Sequence, residues 1–239
     1  MSSRTRFLFN GNRMVISVHQ PQYIPWLGYF EKMARSDMFV FLDNVQYKVR
    51  EFQNRNRIRT EKGWMWLTVP VVTKDGCRMR MNEVLIDNTM PWQRKHLGSI
   101  KASYGSAPYF DDYFPFFEEI LSKKWDKLSD LNVCIIRFVM DKLSIATPIV
   151  FESDLGILTT KTQRIIDICL KLNADTYLSG VGAKDYLDES LFPQNKIKLF
   201  YQHFDHPEYR QCFEPFMPYM SVIDLLFNHG PASRGILIK

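Results

Sequence analysis

The stretch from Ser17 to Asp43, SVHQPQYIPWLGYFEKMARSDMFVFLD, constrains the fold more than any other part of the chain. It continues an apolar run, Met14–Val18, whose β-branched residues favour an extended, pleated backbone. His19 to Gly28 then reads as a loop. Pro21 and Pro25 fix φ there and bias the residues before them towards extended geometry. Apolar residues recur at helical spacing over Gly28–Arg35. Met38–Leu42 is a second short apolar run of the buried-strand type, and it ends on Asp43. Strand, loop, helix and strand in this length make a βαβ unit with parallel strands. Such sheets bind ligands beyond the carboxyl ends of their strands. That rule gathers His19, Gln20, Tyr23, Trp26, Asp43, Gln46, Asn54 and Arg57 into one candidate cleft.

A second unit of the same kind lies further on. Pro148–Glu152 reads as a strand, Thr159–Leu172 as an amphipathic helix, and Asp175–Ser179 as a strand. Gly180-Val181-Gly182-Ala183-Lys184 follows at its carboxyl end, where the two glycines allow close backbone approach and their amides suit a phosphate or carboxylate. Lys198–His203 is a last strand. The sequence therefore predicts an α/β fold: a mostly parallel sheet with helices on both faces. Trp92–Tyr104 (capped from Asp87-Asn88-Thr89), Tyr109–Trp125, Leu128–Leu143, Met220–Phe227 and Ala232–Lys239 complete the helices. Trp64–Val72 and Arg78–Ile86, joined by a turn at Lys74-Asp75-Gly76, read as an antiparallel hairpin. They form a small flap over about residues 44–86 within a single α/β domain, 14–239. Residues 1–13 read as a disordered lead-in rather than a signal peptide, since the apolar patch Phe7-Leu8-Phe9 is short and no small-residue cleavage site follows.

Composition narrows the function classes. With 46% hydrophobic and 24% charged residues the chain has the make-up of a soluble globular protein, and no apolar run nears the roughly 20 residues that span a bilayer. Cys77, Cys134, Cys169 and Cys212 are scattered and form no CxxC pair. This argues against a zinc site or disulfide framework and for a reduced, cytoplasmic setting. No G-x-S-x-G elbow, P-loop or G-x-G-x-x-G fingerprint is present. Lys48, Arg50, Arg55, Arg57, Arg59 and Lys62 crowd one segment against only Glu51 and Glu61, which suits phosphates or acidic ligands as well as a solvated basic face. On an extended segment Arg55 and Arg57 share one face, and Asn54 and Asn56 the other.

His19 at a strand end is either a structural hydrogen-bonding group or a general base, because imidazole titrates near working pH. His203 and His206, three apart with Asp205 between, serve as structural groups or as an acid or base with Asp188 or Asp205. Neither histidine has the further Cys or His neighbours of a metal site.

Several blocks recur in order: HQPQYIPWLGYF from His19, DMFVFLDNVQY from Asp37, RNRI from Arg55, WLTVPV from Trp66, YLSGVGAKDYLD from Tyr177, FYQHFDHPEYRQ from Phe200 and MSVIDLLFNHG from Met220. In these the chain resembles the WbqC-like proteins of bacterial polysaccharide gene clusters, from about Met14 to Gly230. The resemblance implies a part in making O-antigen or related surface glycans, by N-acyl or N-aminoacyl transfer (for example of glycine) to a nucleotide-linked amino sugar. His19, Asp43 and His203 are then the catalytic candidates. Gln20, Tyr23, Trp26, Gln46, Lys48, Asn54, Arg55, Asn56, Arg57, Gly180, Gly182, Lys184 and His206 are the binding candidates. Asn54, Asn56 and the Gly180–Gly182 amides would hold an oxyanion, while Lys48, Arg55, Arg57 and Lys184 would neutralise phosphate. Coenzyme A thioester, aminoacyl-tRNA and ATP plus an amino acid all remain open as acyl donor. With tRNA as carrier, Lys48–Lys62 would contact RNA. A non-catalytic protein that binds the nucleotide sugar or recruits a partner enzyme is the alternative.

The first βαβ unit also resembles that of nucleotidylyltransferases, which place an H-x-G-H motif at the helix start. Trp26 and Tyr29 stand where its histidines would be. Neither replaces a protonated histidine at a triphosphate, so Trp26 is left to stack on a base or sugar.

Overall fold

In a computed structural model that describes residues 13–72 and 79–238, seven strands form two sheets. The strands are β1 (Val15–His19), β2 (Met38–Phe41), β3 (Arg55–Thr60), β4 (Gly63–Thr68), β5 (Ile149–Phe151), β6 (Thr176–Ser179) and β7 (Lys198–Tyr201). Five make one sheet in the order β5-β2-β1-β6-β7, every neighbour parallel. The chain leaves central β1 towards β2 on one side and later returns to β6 on the other, so the topological switch lies between β1 and β6. β3 and β4 form a separate antiparallel pair.

The helices are α1 (Leu27–Ala34), α2 (Trp92–Tyr104), α3 (Phe110–Ser122), α4 (Leu128–Lys142), α5 (Lys161–Lys171), α6 (Leu191–Gln194), α7 (Val222–His229) and α8 (Ser233–Leu237). Strand alternation sorts them into two layers. Ile16, Val18 and Val40 face a core that contains Ile165 and Ile168 of α5 and Phe192 of α6. Phe39 and Phe41 face a larger core of α1, α2, α3, α4 and α7, rich in aromatic rings. Ser17 and His19 pair in register with Phe39 and Phe41, so they too point to this second side, towards α1. Among the described residues no helix is long and apolar enough to cross a membrane.

The parallel sheet and the helical layers follow the predicted pattern, but three local features differ. The hairpin is Arg55–Thr60 against Gly63–Thr68, turning at Glu61-Lys62 with Gly63 at φ +128. The segment predicted as its second strand instead carries a 3-10 turn, Met81–Glu83, and isolated bridges from Arg80 and Ile86. The basic run therefore supplies the first strand, since alternating Asn56 and Ile58 bury one face. The turn at Lys74-Asp75-Gly76, Cys77, Arg78 and residues 1–12 of the lead-in lie outside the described residues. Second, α2 starts at Pro91 without a side-chain cap, because Asp87 instead closes its own turn onto Thr89. Third, Ile24 adopts φ +43 although it precedes a proline and is β-branched, a combination that costs about 1–3 kcal/mol. The Asn56 amide offsets part of that cost by donating to the Ile24 carbonyl at 2.8 Å.

At the end of that loop, Trp26 folds over the first turn of α1. A Cβ on Gly28 would overlap the Trp26 ring. Gly28→Ala should therefore lose about 1–3 kcal/mol by overpacking, although alanine is by about 1 kcal/mol the better helix former. In a Trp26→Ala background the same change should become neutral or stabilising. Urea unfolding of the four proteins tests this, and additive effects would mean the ring and the glycine are not coupled.

Candidate active site at the end of the central strand

The β1–α1 contact is polar at two levels. Strand and helix run in opposite directions, so Ser17 meets Ser36 just past the end of α1, and His19 meets Lys32 one turn earlier. The serine hydroxyls are 2.6 Å apart, and the Lys32 Nζ is 2.9 Å from His19 Nδ1. Lys32 also donates to the Val18 carbonyl at 3.3 Å and passes under Gly180, whose missing Cβ would stand 3.9 Å from Nζ. The pair therefore sits at the switch point, between the carboxyl ends of β1 and β6. Lys32 is only 2% exposed, with its Nζ 5.8 Å from the centre of the Phe39 ring. His19 packs its ring on Tyr29 at 4.9 Å, and the Tyr29 hydroxyl donates to the Gln20 carbonyl at 3.1 Å.

Burial decides the charge of both groups. It draws the Lys32 ammonium down to about 7, against the opposing pull of the Glu31 carboxylate. Burial first, and the Lys32 cation second, hold the His19 imidazolium well below its ordinary range. Above pH 7 the self-consistent arrangement has both groups neutral. His19 then carries its proton on Nδ1 and gives it to the Lys32 lone pair, while Gln22 donates to Nε2 at 3.2 Å. When Lys32 takes a proton it becomes the donor to Nδ1, and the imidazole proton moves to Nε2. The Gln22 amide must then turn to present its oxygen, which is otherwise buried without a partner. One proton on Lys32 thus resets the whole triad.

The structure disperses most of the predicted site. Tyr23 is fully buried, and its hydroxyl lies 2.8 Å from His96 Nδ1, so it is core rather than cleft. Asn54 donates to the Val69 carbonyl at 2.9 Å, and Asn56 to the Tyr23 and Ile24 carbonyls. These bonds commit both amides to holding the backbone instead of an oxyanion. Trp26 is packed edge-on to Phe204 and against Tyr219, so its ring braces a helix start rather than offering a free stacking face. Asp43 lies just beyond the residue that pairs with His19, but its carboxylate accepts from the Ser153 amide at 2.9 Å and hydroxyl at 2.7 Å. That carboxylate caps the turn after β5.

Gln20 stays near the pair. It donates to the Gln46 carbonyl at 3.3 Å and accepts from Gln53. Gln46 and Lys48 are exposed. His203 is solvent-facing, its side chain 81% exposed beside the equally open Asp205. His206 is tied into the aromatic cluster of Phe204, Tyr209, Phe216 and Tyr219. It accepts from the Tyr219 amide at 3.1 Å, which fixes it as a neutral structural group. Gly180 begins a 3-10 turn at φ −73, and a Cβ there would make only ordinary contact with Lys32, so neither positive φ nor close approach explains the glycine. Gly182 and Lys184 are exposed in the same turn, with the Lys184 ammonium 4.8 Å over the Tyr201 ring. Arg55 and Arg57 share a face as predicted, but it is the hairpin face opposite Asn56 and the loop after His19.

Lys32 escaped the sequence reading. Its signal was present: in α1 only Glu31 and Ala34 among residues 27–34 avoid burial, so a lysine one residue before Met33 has no polar side of the helix to occupy.

A cleft of about 830 Å³, lined by neither His19 nor Lys32, opens at the carboxyl ends of β2 and β5. Its lining is of mixed charge: Arg80, Lys127 and Arg137 stand with Asp43, Glu83, Asp130 and Asp154. None of these three cations is in a salt bridge among the described residues. The backbone links cleft and pair directly, since the Leu42 amide donates to the His19 carbonyl at 2.9 Å.

Comparison with known proteins adds family and one relative. The model of the WbqC-like protein family matches residues 20–236. A Mycobacterium tuberculosis protein described as uncharacterized protein Rv1507c is 34% identical over 224 residues, covering 93% of this chain and 96% of that protein. No solved structure is a significant match.

A depressed lysine makes stability depend on pH with a definite sign. Between about 7 and the ordinary value of 10.5 the unfolded chain binds a proton at Lys32 that the folded chain does not, so stability rises with pH across that window. Below pH 7 the penalty applies in full, and above 10.5 it is gone. Lys32→Met should flatten the rise by up to about 1.4 kcal/mol per pH unit. Urea unfolding from pH 7 to 10 measures it, and an unchanged slope in the variant would place the Lys32 proton in water.

Proposed function

Because the chain belongs to the WbqC-like protein family, we propose that it is a transferase of surface-polysaccharide biosynthesis that forms an amide on the amine of a nucleotide-linked amino sugar. The observation that carries this reading is the buried His19–Lys32 pair, a base with a pKa of about 7 at the switch point of a parallel sheet. Amide formation needs such a base. The sugar amine attacks the acyl carbon, the bond to the donor's leaving group breaks, and the surplus ammonium proton must go to a neutral acceptor. His19, whose ring is only half-buried, accepts that proton on Nε2 and passes its Nδ1 proton to neutral Lys32, which can take it at physiological pH, where an ordinary lysine is already charged.

The cleft beside Asp43 supports the substrate half of the reading. In its mixed lining Arg80, Lys127 and Arg137 would take a diphosphate, and Glu83, Asp130 and Asp154 the hydroxyls and amine of a sugar. The three cations take the place of Arg55 and Arg57, which face away. The Gly180 turn, against Lys32, supplies backbone close to the pair.

The test is mass spectrometry of nucleotide-linked amino sugars incubated separately with a coenzyme A thioester, an aminoacyl-tRNA, and ATP plus an amino acid. One donor should give a product heavier by the acyl group. Its rate should rise with pH through about 7 as Lys32 loses its proton. Lys32→Met should lower kcat by about 10²–10⁴-fold, the range of general-base catalysis. Binding of the nucleotide sugar without product from any donor would make the protein a recruiting module instead.

A further inference from the structure

The outer face of the hairpin is the strongest feature that the transferase reading leaves unused. Its pleat places Arg55 and Arg57 of β3 beside Trp64 and Trp66 of β4. The Arg55 guanidinium lies 4.3 Å over the Trp66 ring, and that of Arg57 lies 5.1 Å from Trp64 and 5.7 Å from Trp66. Phe52 extends the row, 6.0 Å from Trp66. From Arg55 to the level of Trp64 the result is an alternating ladder of cations and rings about 14 Å long, four steps at about 3.4 Å per strand residue.

Three observations point to a ligand. Neither Arg55 nor Arg57 is in an ion pair among the described residues, and the Nε of each is buried without a partner, although the Arg55 guanidinium also donates to the Arg50 carbonyl. Arg59, the next residue on that face, is held by bonds to the Gly63 and Pro215 carbonyls, and its own Nε is likewise buried without a partner. Trp64 is 43% exposed, a large ring left in water. Lys48, Arg50 and Lys62 stand around the hairpin, opposed only by Glu51 and Glu61.

We propose that this face binds single-stranded RNA, with bases stacking on Trp64 and on the guanidinium planes and phosphodiesters taking the guanidinium edges. Rings set edge-to-face among guanidiniums, with the Trp64 ring open to solvent, fit a flexible strand whose bases are unpaired, and the net charge of the patch fits its backbone. A duplex offers no free base faces, and an acidic peptide would leave the rings unused. On the transferase reading, the RNA would be the carrier of the activated acyl group.

The test is fluorescence anisotropy with a labelled 12-nucleotide single-stranded RNA at several salt concentrations. The wild type should bind. Arg55→Ala/Arg57→Ala should weaken binding at least 10-fold and lower the slope of log K against log salt by about 1.4, for two phosphates at about 0.7 each. Trp64→Ala should weaken it about 5- to 100-fold with the slope kept, and Trp64→Phe should restore most of the loss. Thermal melts establish that each variant is folded. Lys123→Ala/Lys124→Ala, far along the chain on an exposed helix end, should bind as wild type. Lys32→Met should also bind as wild type, which separates this proposal from the catalytic one. Wild-type affinity in the ladder variants, absence of binding at low salt, or equal binding of double-stranded RNA, of DNA of the same sequence or of a polyglutamate peptide would each overturn it.

Discussion

The polar seam between β1 and α1 is the constraint on which the rest of the structure depends. A central strand of a parallel sheet is normally apolar on both faces. Here Ile16 and Val18 satisfy that rule on the α5 side, while Ser17 and His19 break it on the α1 side. Breaking it is tolerable only if every buried group finds a partner. Ser36 answers Ser17 and Lys32 answers His19, which fixes both the register of the helix against the strand and its rotation. The seam also explains why α1 is almost entirely buried: the helix is pinned from within by hydrogen bonds and covered by rings from without.

Around the seam, polar side chains hold the loops that enclose the site. Asn56 secures the strained Ile24, Asn132 donates to the Pro21 and Gln53 carbonyls, and Gln202 ties the end of β7 to the Gly28 carbonyl and to Glu31. On the far side of the cleft, buried Glu152 pairs with Arg164 at 3.3 Å, and Arg164 also donates to the Asn44 carbonyl at 2.8 Å. Burial pushes Glu152 up, with Arg164 opposing. A third cluster, Tyr209 and Gln211 on the Asp224 carboxylate, anchors α7. These groups surround the His19–Lys32 pair with fixed structure, as a preorganised site requires.

How much of this was legible follows from which physics each residue obeys. The parallel sheet and α2 were readable because periodicity reports burial directly, and Trp92–Tyr104 shows it without interruption. The hairpin was misplaced because Arg55, Arg57 and Arg59 disguise a strand whose buried face is Asn56 and Ile58. The site was readable as a place and not as a membership. His19 was nominated from its strand end, but Asn54, Asn56 and Asp43 look like chemistry in sequence and serve as backbone clamps in three dimensions. Lys32 was passed over for the opposite reason. A lysine in a helix is ordinarily solvated, and only the absence of any polar side on α1 distinguishes this one.

The central claim is that Lys32 is a buried amine poised near neutrality beside His19. Its most direct test is a nuclear magnetic resonance titration of the lysine side chains in isotopically labelled protein, with the Lys32 signal assigned by its loss in Lys32→Met. The account predicts a midpoint of about 7 for Lys32, accompanied by a change in the His19 ring signals as the proton moves between Nδ1 and Nε2. A Lys32 midpoint at the ordinary 10.5, with His19 unmoved through neutrality, would contradict it.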